Sequence, residues 1–122
     1  MKLINQVCSL DQAAKLKALG INQVQQTFYW QFGAPHYPVH VNAYQPYFAA
    51  FTSAELGEML PRECYTMLEP GIEMHVWHCG TDNEEVLFQA DTEAQAKAEL
   101  LIWLLEKGKL NPETVNVALA AA

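Results

Sequence analysis

The chain has 122 residues, 51% hydrophobic and 17% charged, so we predict one globular domain over residues 1–122 and exclude a disordered chain. Its 14 acidic and 7 basic residues give a formal net charge of −7, and Arg62 is the single arginine. Since nucleic-acid phosphates are bound by clustered lysine and arginine, the composition indicates no nucleic-acid partner.

The cysteine pattern and the apolar runs predict a cytoplasmic protein. Cys8, Cys64 and Cys79 are odd in number and irregularly spaced, which favours reduced thiols. Residues 1–15 contain no apolar run of signal-peptide length, and the longest wholly apolar run, residues 100–105, is too short to cross a bilayer. We therefore expect no membrane partner.

The first third of the chain predicts a helix followed by a hairpin. Ser9 and Gln12 are spaced as a capping box, which predicts a helix over residues 10–19 that ends at Gly20. Residues 23–32 have the β-branched and aromatic content of a strand, residues 33–38 form a Gly/Pro loop, and residues 39–44 alternate as a second strand. We predict that these two strands pair.

The middle of the chain predicts a short helix and an antiparallel meander. Thr52 and Glu55 repeat the capping-box spacing, and Pro61 ends the predicted helix after about two turns. Strands are predicted over residues 64–68, 72–79 and 86–90. They are separated by a tight turn at residues 70–71 and a second turn over residues 80–84.

The last third predicts two helices. Thr92 and Gln95 cap a helix that runs to Lys107 and stops at Gly108, while Asn111, followed by proline, begins a short terminal helix. The order α-β-β-α-β-β-β-α-α predicts an α+β domain, with helices packed on one face of an antiparallel sheet of about five strands.

One face of the predicted sheet is a candidate ligand-binding surface, because it mixes aromatic rings with amide, imidazole and carboxylate groups that suit a planar ligand. A solvated sheet face is the alternative interpretation. The predicted ligand-binding residues are Tyr29, Gln31, His40, Asn42, Tyr44, Glu73, His75 and Trp77, with Leu87 and Gln89 on the same face. The predicted core side carries Phe28, Trp30, Phe32, Val39, Val41, Ala43, Ile72, Met74, Val76, Val86, Phe88 and Ala90.

The sequence predicts no metal site, cofactor or catalytic centre. At about 3.3 Å per strand residue, His75 and Cys79 lie about 13 Å apart, too far to share one ion. Glu55 and Glu58 share one helix surface, where we interpret them as solvated rather than as an acid–base pair.

The apolar run of the last long helix predicts a homo-oligomer. Leu101 and Leu105 share one side of this helix, whereas Leu100 flanks that side and Trp103 lies almost opposite. Either the C-terminal helix covers Trp103, or Leu100 and Trp103 form part of an interface with a second subunit.

Four segments carry a resemblance that covers most of the chain: VCSLDQAAKLKALG, FYW, YFAAFTSAELGEMLP and ADTEAQAKAELLIWLLEKGKL. Their most specific part is the block FTSAELGEMLP. They resemble a family of small uncharacterised proteins encoded by tailed phages and prophages. The resemblance implies expression in a bacterial cytoplasm and an accessory, host-interacting purpose, and it assigns a role to no residue.

Three functions stay open. The favoured hypothesis is a non-enzymatic accessory protein that binds a host protein, for example as an anti-defence protein, since the chain is small and acidic and has a spare apolar helix face. The alternative is a protein that sequesters a small aromatic ligand, such as a nucleotide signal, on the face of Tyr29, Tyr44 and Trp77. An unrecognised enzyme is the third, and it would need a nucleophile and base that the spacing does not reveal.

Overall fold

A computed structural model describes residues 2–23, 27–31, 33–36, 48–62, 64–70, 75–81 and 86–121, with the backbone alone described at residues 69–70, 75–78 and 81. The elements are a 3-10 helix (Leu3–Asn5), α1 (Leu10–Ala18), β1 (Phe28–Gln31), β2 (Ala34–His36), β3 (Phe48–Ala50), α2 (Ser53–Met59), β4 (Cys64–Pro70), β5 (His75–Thr81), β6 (Leu87–Ala90), α3 (Glu93–Glu106) and α4 (Pro112–Ala121). The predicted α+β class is confirmed. No helix in the described ranges has both the length and the apolar content needed to cross a membrane.

The boundaries of α1 follow the predicted capping chemistry. The Ser9 hydroxyl accepts a hydrogen bond from the Gln12 amide at 3.2 Å, and the Gln12 side chain accepts one from the Ser9 amide at 2.9 Å. At the other end Gly20 adopts φ +96°, and the amide of Ile21 donates to the Leu16 carbonyl at 3.0 Å. This is the Schellman geometry that ends a helix at a glycine.

The other three helices also begin at their predicted caps. Thr52 and Glu55 form a reciprocal capping box at the start of α2. The Thr92 hydroxyl accepts from the amide three residues later at 3.2 Å, and the Asn111 side chain accepts from the amide two residues later at 2.8 Å. Gly108, at φ +70°, follows α3 where the stop was predicted.

The strands form two antiparallel sheets in the described residues, in the orders β2-β1-β3 and β4-β5-β6, so the prediction of a single sheet is wrong. The sequence prediction missed β3, a three-residue strand that leads into α2 and pairs with β1 through Phe48 opposite Trp30. β1 is hydrogen-bonded on both sides, and so is β5. In the described residues the edge strands of the two sheets, β2 and β3 in one and β4 and β6 in the other, do not pair with each other.

The hairpin that follows β1 turns earlier than predicted. Gln31 pairs with Ala34, so two residues connect the strands, and Gly33 supplies a positive φ of +76° in the turn. Residues 34–36, predicted as loop, form β2. Pro35 is compatible with this strand because β2 lies at the edge of its sheet. The predicted partner strand, residues 39–44, lies outside the described residues.

The three strands predicted for the meander are present with shifted ends. β4 continues to Pro70, which pairs with His75, so the predicted turn cannot begin at Pro70. Gly80 and Thr81, predicted to begin the next turn, still belong to β5 and pair with β4. Residues 71–74 and 82–85, which connect the strands, lie outside the described residues.

Helix α3 packs into two hydrophobic clusters, which explains its run LLIWLL. One stripe of the helix contributes to a cluster shared with α1, β3, α2 and α4, and a second stripe packs against the sheet β4-β5-β6. The first stripe is Ala94, Ala98, Leu101, Ile102 and Leu105, and the second is Ala96, Leu100 and Leu104. Elements of this chain thus cover two sides of α3, and the second side packs on the sheet β4-β5-β6, which the sequence interpretation did not consider.

Candidate functional site

The predicted ligand-binding residues are distributed over two sheets. Tyr29 and Gln31 lie in β1 of the first sheet, whereas His75 and Trp77 lie in β5 of the second. Outside the described residues lie His40, Asn42, Tyr44 and Glu73. The prediction assumed that these residues extend from one continuous sheet, and the structure does not support that premise.

Tyr29, which was predicted on an open face, is only 2% exposed and belongs to a small polar cluster. Its hydroxyl donates to the side-chain oxygen of Gln31 at 3.1 Å, and Nε2 of His36 lies 3.1 Å from the Gln31 carbonyl oxygen. The rings of Tyr29 and His36 are 6.0 Å apart, because the two residues are register partners. Burial raises the pKa of Tyr29 above its usual 10.0.

The opposite side of β1 packs on the core, as predicted for Trp30. Its ring lies against the first cluster and its indole N–H donates to the Cys8 carbonyl at 3.2 Å. Because Tyr29 is buried as well, β1 has side chains covered on both faces. Sequence reasoning missed His36, since it assigned residues 33–38 to a loop. A two-residue turn at Gly33 would have placed His36 opposite Tyr29.

The structure reverses the alternation that was predicted for β5. The prediction placed the even-numbered positions 72, 74 and 76 on the core side of the strand. Cys79, an odd-numbered position, is instead the one that is fully buried against α3. Trp77 shares the parity of Cys79 and pairs with Ala90, whereas Leu87 and Gln89 pair with even-numbered positions. Leu87 and Gln89 therefore belong to the opposite face of the sheet from Trp77, and not to the same face as predicted. Apolar residues stand at both parities of β5, so alternation alone could not choose between them.

A cleft of about 870 Å³ lies between the N-terminal ends of α2 and α3 and strand β4. A volume of this order is in the range of small-molecule sites. The lining combines helix-capping residues, one exposed leucine and two carboxylates, and it includes Thr52, Ser53, Ala54, Leu68, Asp91 and Glu93. No local sequence pattern indicated this cleft, because its walls come from distant parts of the chain.

Lys97 neutralises one of the two carboxylates. Its ammonium lies 2.8 Å from Oε1 of Glu93 and donates to the Ser53 carbonyl at 3.1 Å, which ties α3 to the first turn of α2. Partial burial acts to raise the pKa of Glu93, but the hydrogen bond of Lys97, the Ser53 side chain and the charge of Lys97 together outweigh it and hold the pKa below its usual 4.5. With Asp91 as a second carboxylate, the cleft suits a neutral or cationic ligand better than an anion.

One predicted ligand-binding residue, Trp77, is paired through its backbone with a residue that lines this cleft. It pairs directly with Leu68 across β4 and β5, and Leu68 lines the cleft with 40% of its surface exposed. Directly opposite residues of an antiparallel pair occupy one face of the sheet. The register therefore places Trp77 directly opposite a residue that lines the cleft.

The other face of the second sheet exposes apolar side chains. Met67 is 50% exposed and Leu87 is 49% exposed. A Cβ atom built on Gly80 would lie 3.3 Å from the Leu87 side chain and 3.4 Å from the Tyr65 hydroxyl, so both side chains reach over this glycine. Met67 lies two residues after Tyr65 on β4, so the two residues belong to the same face of the sheet. We refer to Tyr65, Met67 and Leu87 as the outer apolar face.

The two buried thiols, Cys8 and Cys79, are unsuited to nucleophilic chemistry. Cys8 and Cys79 are fully buried and Cys64 is half-buried, and none of them is in a disulfide. Burial raises the pKa of Cys8 to about 12 and also raises the pKa of Cys79 above its usual 9.0. Thiols with a raised pKa are poor nucleophiles and poor metal ligands. In the described part of the chain, no three histidine, cysteine or acidic side chains converge on a point that could hold a metal ion.

The two residues predicted at an oligomer interface differ in exposure. Leu100 is completely buried against the second sheet and offers no surface to another subunit. Trp103 is half-buried, packs against the same cluster, and has the Lys109 ammonium 5.7 Å from its ring centroid. Among the described residues, the second cluster, which contains no residue of α4, provides this cover. A role for Trp103 in assembly stays a prediction.

Comparisons of this chain with protein-family models, with curated proteins and with solved structures gave no match. The resemblance to phage and prophage proteins stays a prediction.

Proposed function

We propose that the protein acts without catalysis, by binding another protein through its outer apolar face. The observation that carries this proposal is the exposure of Met67 and Leu87, each about half exposed on one face of a three-stranded sheet. A contiguous exposed apolar patch marks an interaction site, and its burial contributes about 25 cal/mol per Å². In the phage or prophage setting implied by the resemblance, the partner is a host protein of the bacterial cytoplasm, such as a component of a defence system.

Strand β4 supports the same proposal through its backbone. Among the described strands it pairs on one side only, with β5, over seven residues. Long edge strands with exposed apolar side chains can accept a further strand from a partner, and many proteins guard such edges with lysine or bulges. We expect the partner to contribute an extended apolar segment that lies along β4 and contacts Met67.

The test compares substitutions on the outer apolar face with a matched control elsewhere. A protein captured from bacterial lysate is purified and titrated by calorimetry against the wild type and against Met67→Lys, Leu87→Lys and Val117→Lys. Val117 is 71% exposed on α4, so its substitution adds the same charge away from the face. We expect the two face variants to weaken binding about tenfold or more, with Val117→Lys unchanged.

Two results would overturn the proposal. One is a stoichiometric complex whose affinity is the same for both face variants and the control, provided that circular dichroism shows all three variants folded. The other is the absence of any protein that binds the purified wild type in a defined ratio. Capture from lysate without that ratio does not support the proposal.

A second candidate function is sequestration of a small aromatic ligand in the cleft. The register of Trp77 with Leu68 favours it, because a tryptophan position lies directly opposite a residue that lines a cavity of suitable volume. Asp91 and Glu93 disfavour a phosphate group, so the ligand we propose is a neutral or cationic aromatic molecule rather than an intact nucleotide.

Native mass spectrometry of protein purified from a bacterial host tests this candidate, followed by identification of any molecule released on denaturation. Ala54→Trp would fill the cleft, whereas Ala18→Trp adds the same ring to an exposed position of α1. We expect Ala54→Trp to lose the released molecule and Ala18→Trp to keep it. Wild-type protein that releases nothing, or equal retention in both variants, would rule out the cleft as its site.

A further inference from the structure

We draw no further inference here: the strongest candidate, the cleft between the N-terminal ends of α2 and α3, belongs to the site already described, and its helix N-termini and two carboxylates do not by themselves define a ligand.

Discussion

A hydrogen bond of 2.8 Å joins the side-chain amide of Gln12 to the carboxylate of Glu99, although the two residues are 87 positions apart in the chain. The same amide nitrogen donates to the Gln95 carbonyl at 3.0 Å, and the Gln12 side-chain oxygen accepts from the Ser9 amide at 2.9 Å. Gln12 is only 6% exposed. One buried side chain thus caps α1 and fixes it against α3.

Substitution of Gln12 by alanine should therefore destabilise the protein by about 1–3 kcal/mol, since it removes a charge-assisted hydrogen bond and half of a capping box. Lys15→Ala is the control, because Lys15 is an exposed residue of the same helix. Urea unfolding followed by tryptophan fluorescence measures both changes. If the two variants lost the same small free energy, the Gln12 contacts would not hold the helices together.

Gly80 lies where β5 passes close to β6, and it leaves no room for a side chain. A Cβ atom there would sit 2.6 Å from the Val86 carbonyl oxygen, so we expect Gly80→Ala to cost about 1–3 kcal/mol. Gly57, exposed on α2, is the matched control. A Cβ atom there would lie 3.3 Å from the Lys97 ammonium, the end of a long side chain that needs to shift by only a few tenths of an ångström, and alanine favours the helix by up to about 1 kcal/mol.

Thermal unfolding followed by circular dichroism should give a lower melting temperature for Gly80→Ala and an unchanged or higher one for Gly57→Ala. A decrease of equal size in both would mean that the loss reflects glycine replacement in general, and not the close approach at Val86.

Leu100 and Leu101 test whether the two clusters around α3 unfold together. Both leucines are fully buried, one in each cluster, so each change to alanine should cost about 2–5 kcal/mol. Because both lie on one helix, we expect a single transition with coincident fluorescence and circular dichroism curves in either variant. A separate early transition in Leu100→Ala would show that the second sheet unfolds on its own.

The sequence predicted the helices better than the sheets, and the reason is the range of the interactions that define each. Ser9 with Gln12 and Thr52 with Glu55 are contacts over three residues, so the helix starts could be identified locally. β3 has only three residues, and its partner β1 lies about twenty positions earlier. Such a strand is defined by its pairing, which no local pattern encodes.

The candidate site was less predictable still. The choice of Trp77 depended on an alternation that proved reversed, although its register with Leu68 relates it to the cleft. The cleft itself is lined by residues of the N-terminal segment, α2, β4 and α3. Two of its residues, Thr52 and Thr92, are helix caps, and that structural role already accounts for them when the sequence is considered alone. Only the packing of α3 brings these ends together.

Trp103 is the residue on which the prediction of a homo-oligomer now depends. If it lies in an interface, Trp103→Glu should reduce the mass in solution to that of one chain, because the substitution places a charge on an apolar contact. Light scattering after size exclusion measures the mass, with Val117→Glu as the control on α4. Since Trp103 also packs on the second cluster, circular dichroism must show that the variant is folded. A wild-type mass equal to that of one chain would contradict the prediction of a homo-oligomer.

The pair formed by Glu93 and Lys97 predicts how stability changes in acid. Lys97, together with Ser53, holds the pKa of Glu93 in the folded state below its usual 4.5, despite the opposing effect of partial burial. Folding therefore favours the ionised carboxylate, so this contribution to stability is present at pH values above 4.5 and is lost as the pH falls through the lowered pKa. Glu93→Gln removes the titrating group, and its free energy of unfolding should fall less than that of the wild type between about pH 6 and pH 3. Glu106→Gln, an exposed change on the same helix, should retain the wild-type dependence. Urea unfolding at several pH values measures the three curves, and parallel curves for Glu93→Gln and the wild type would show that the Lys97 contact does not stabilise the fold.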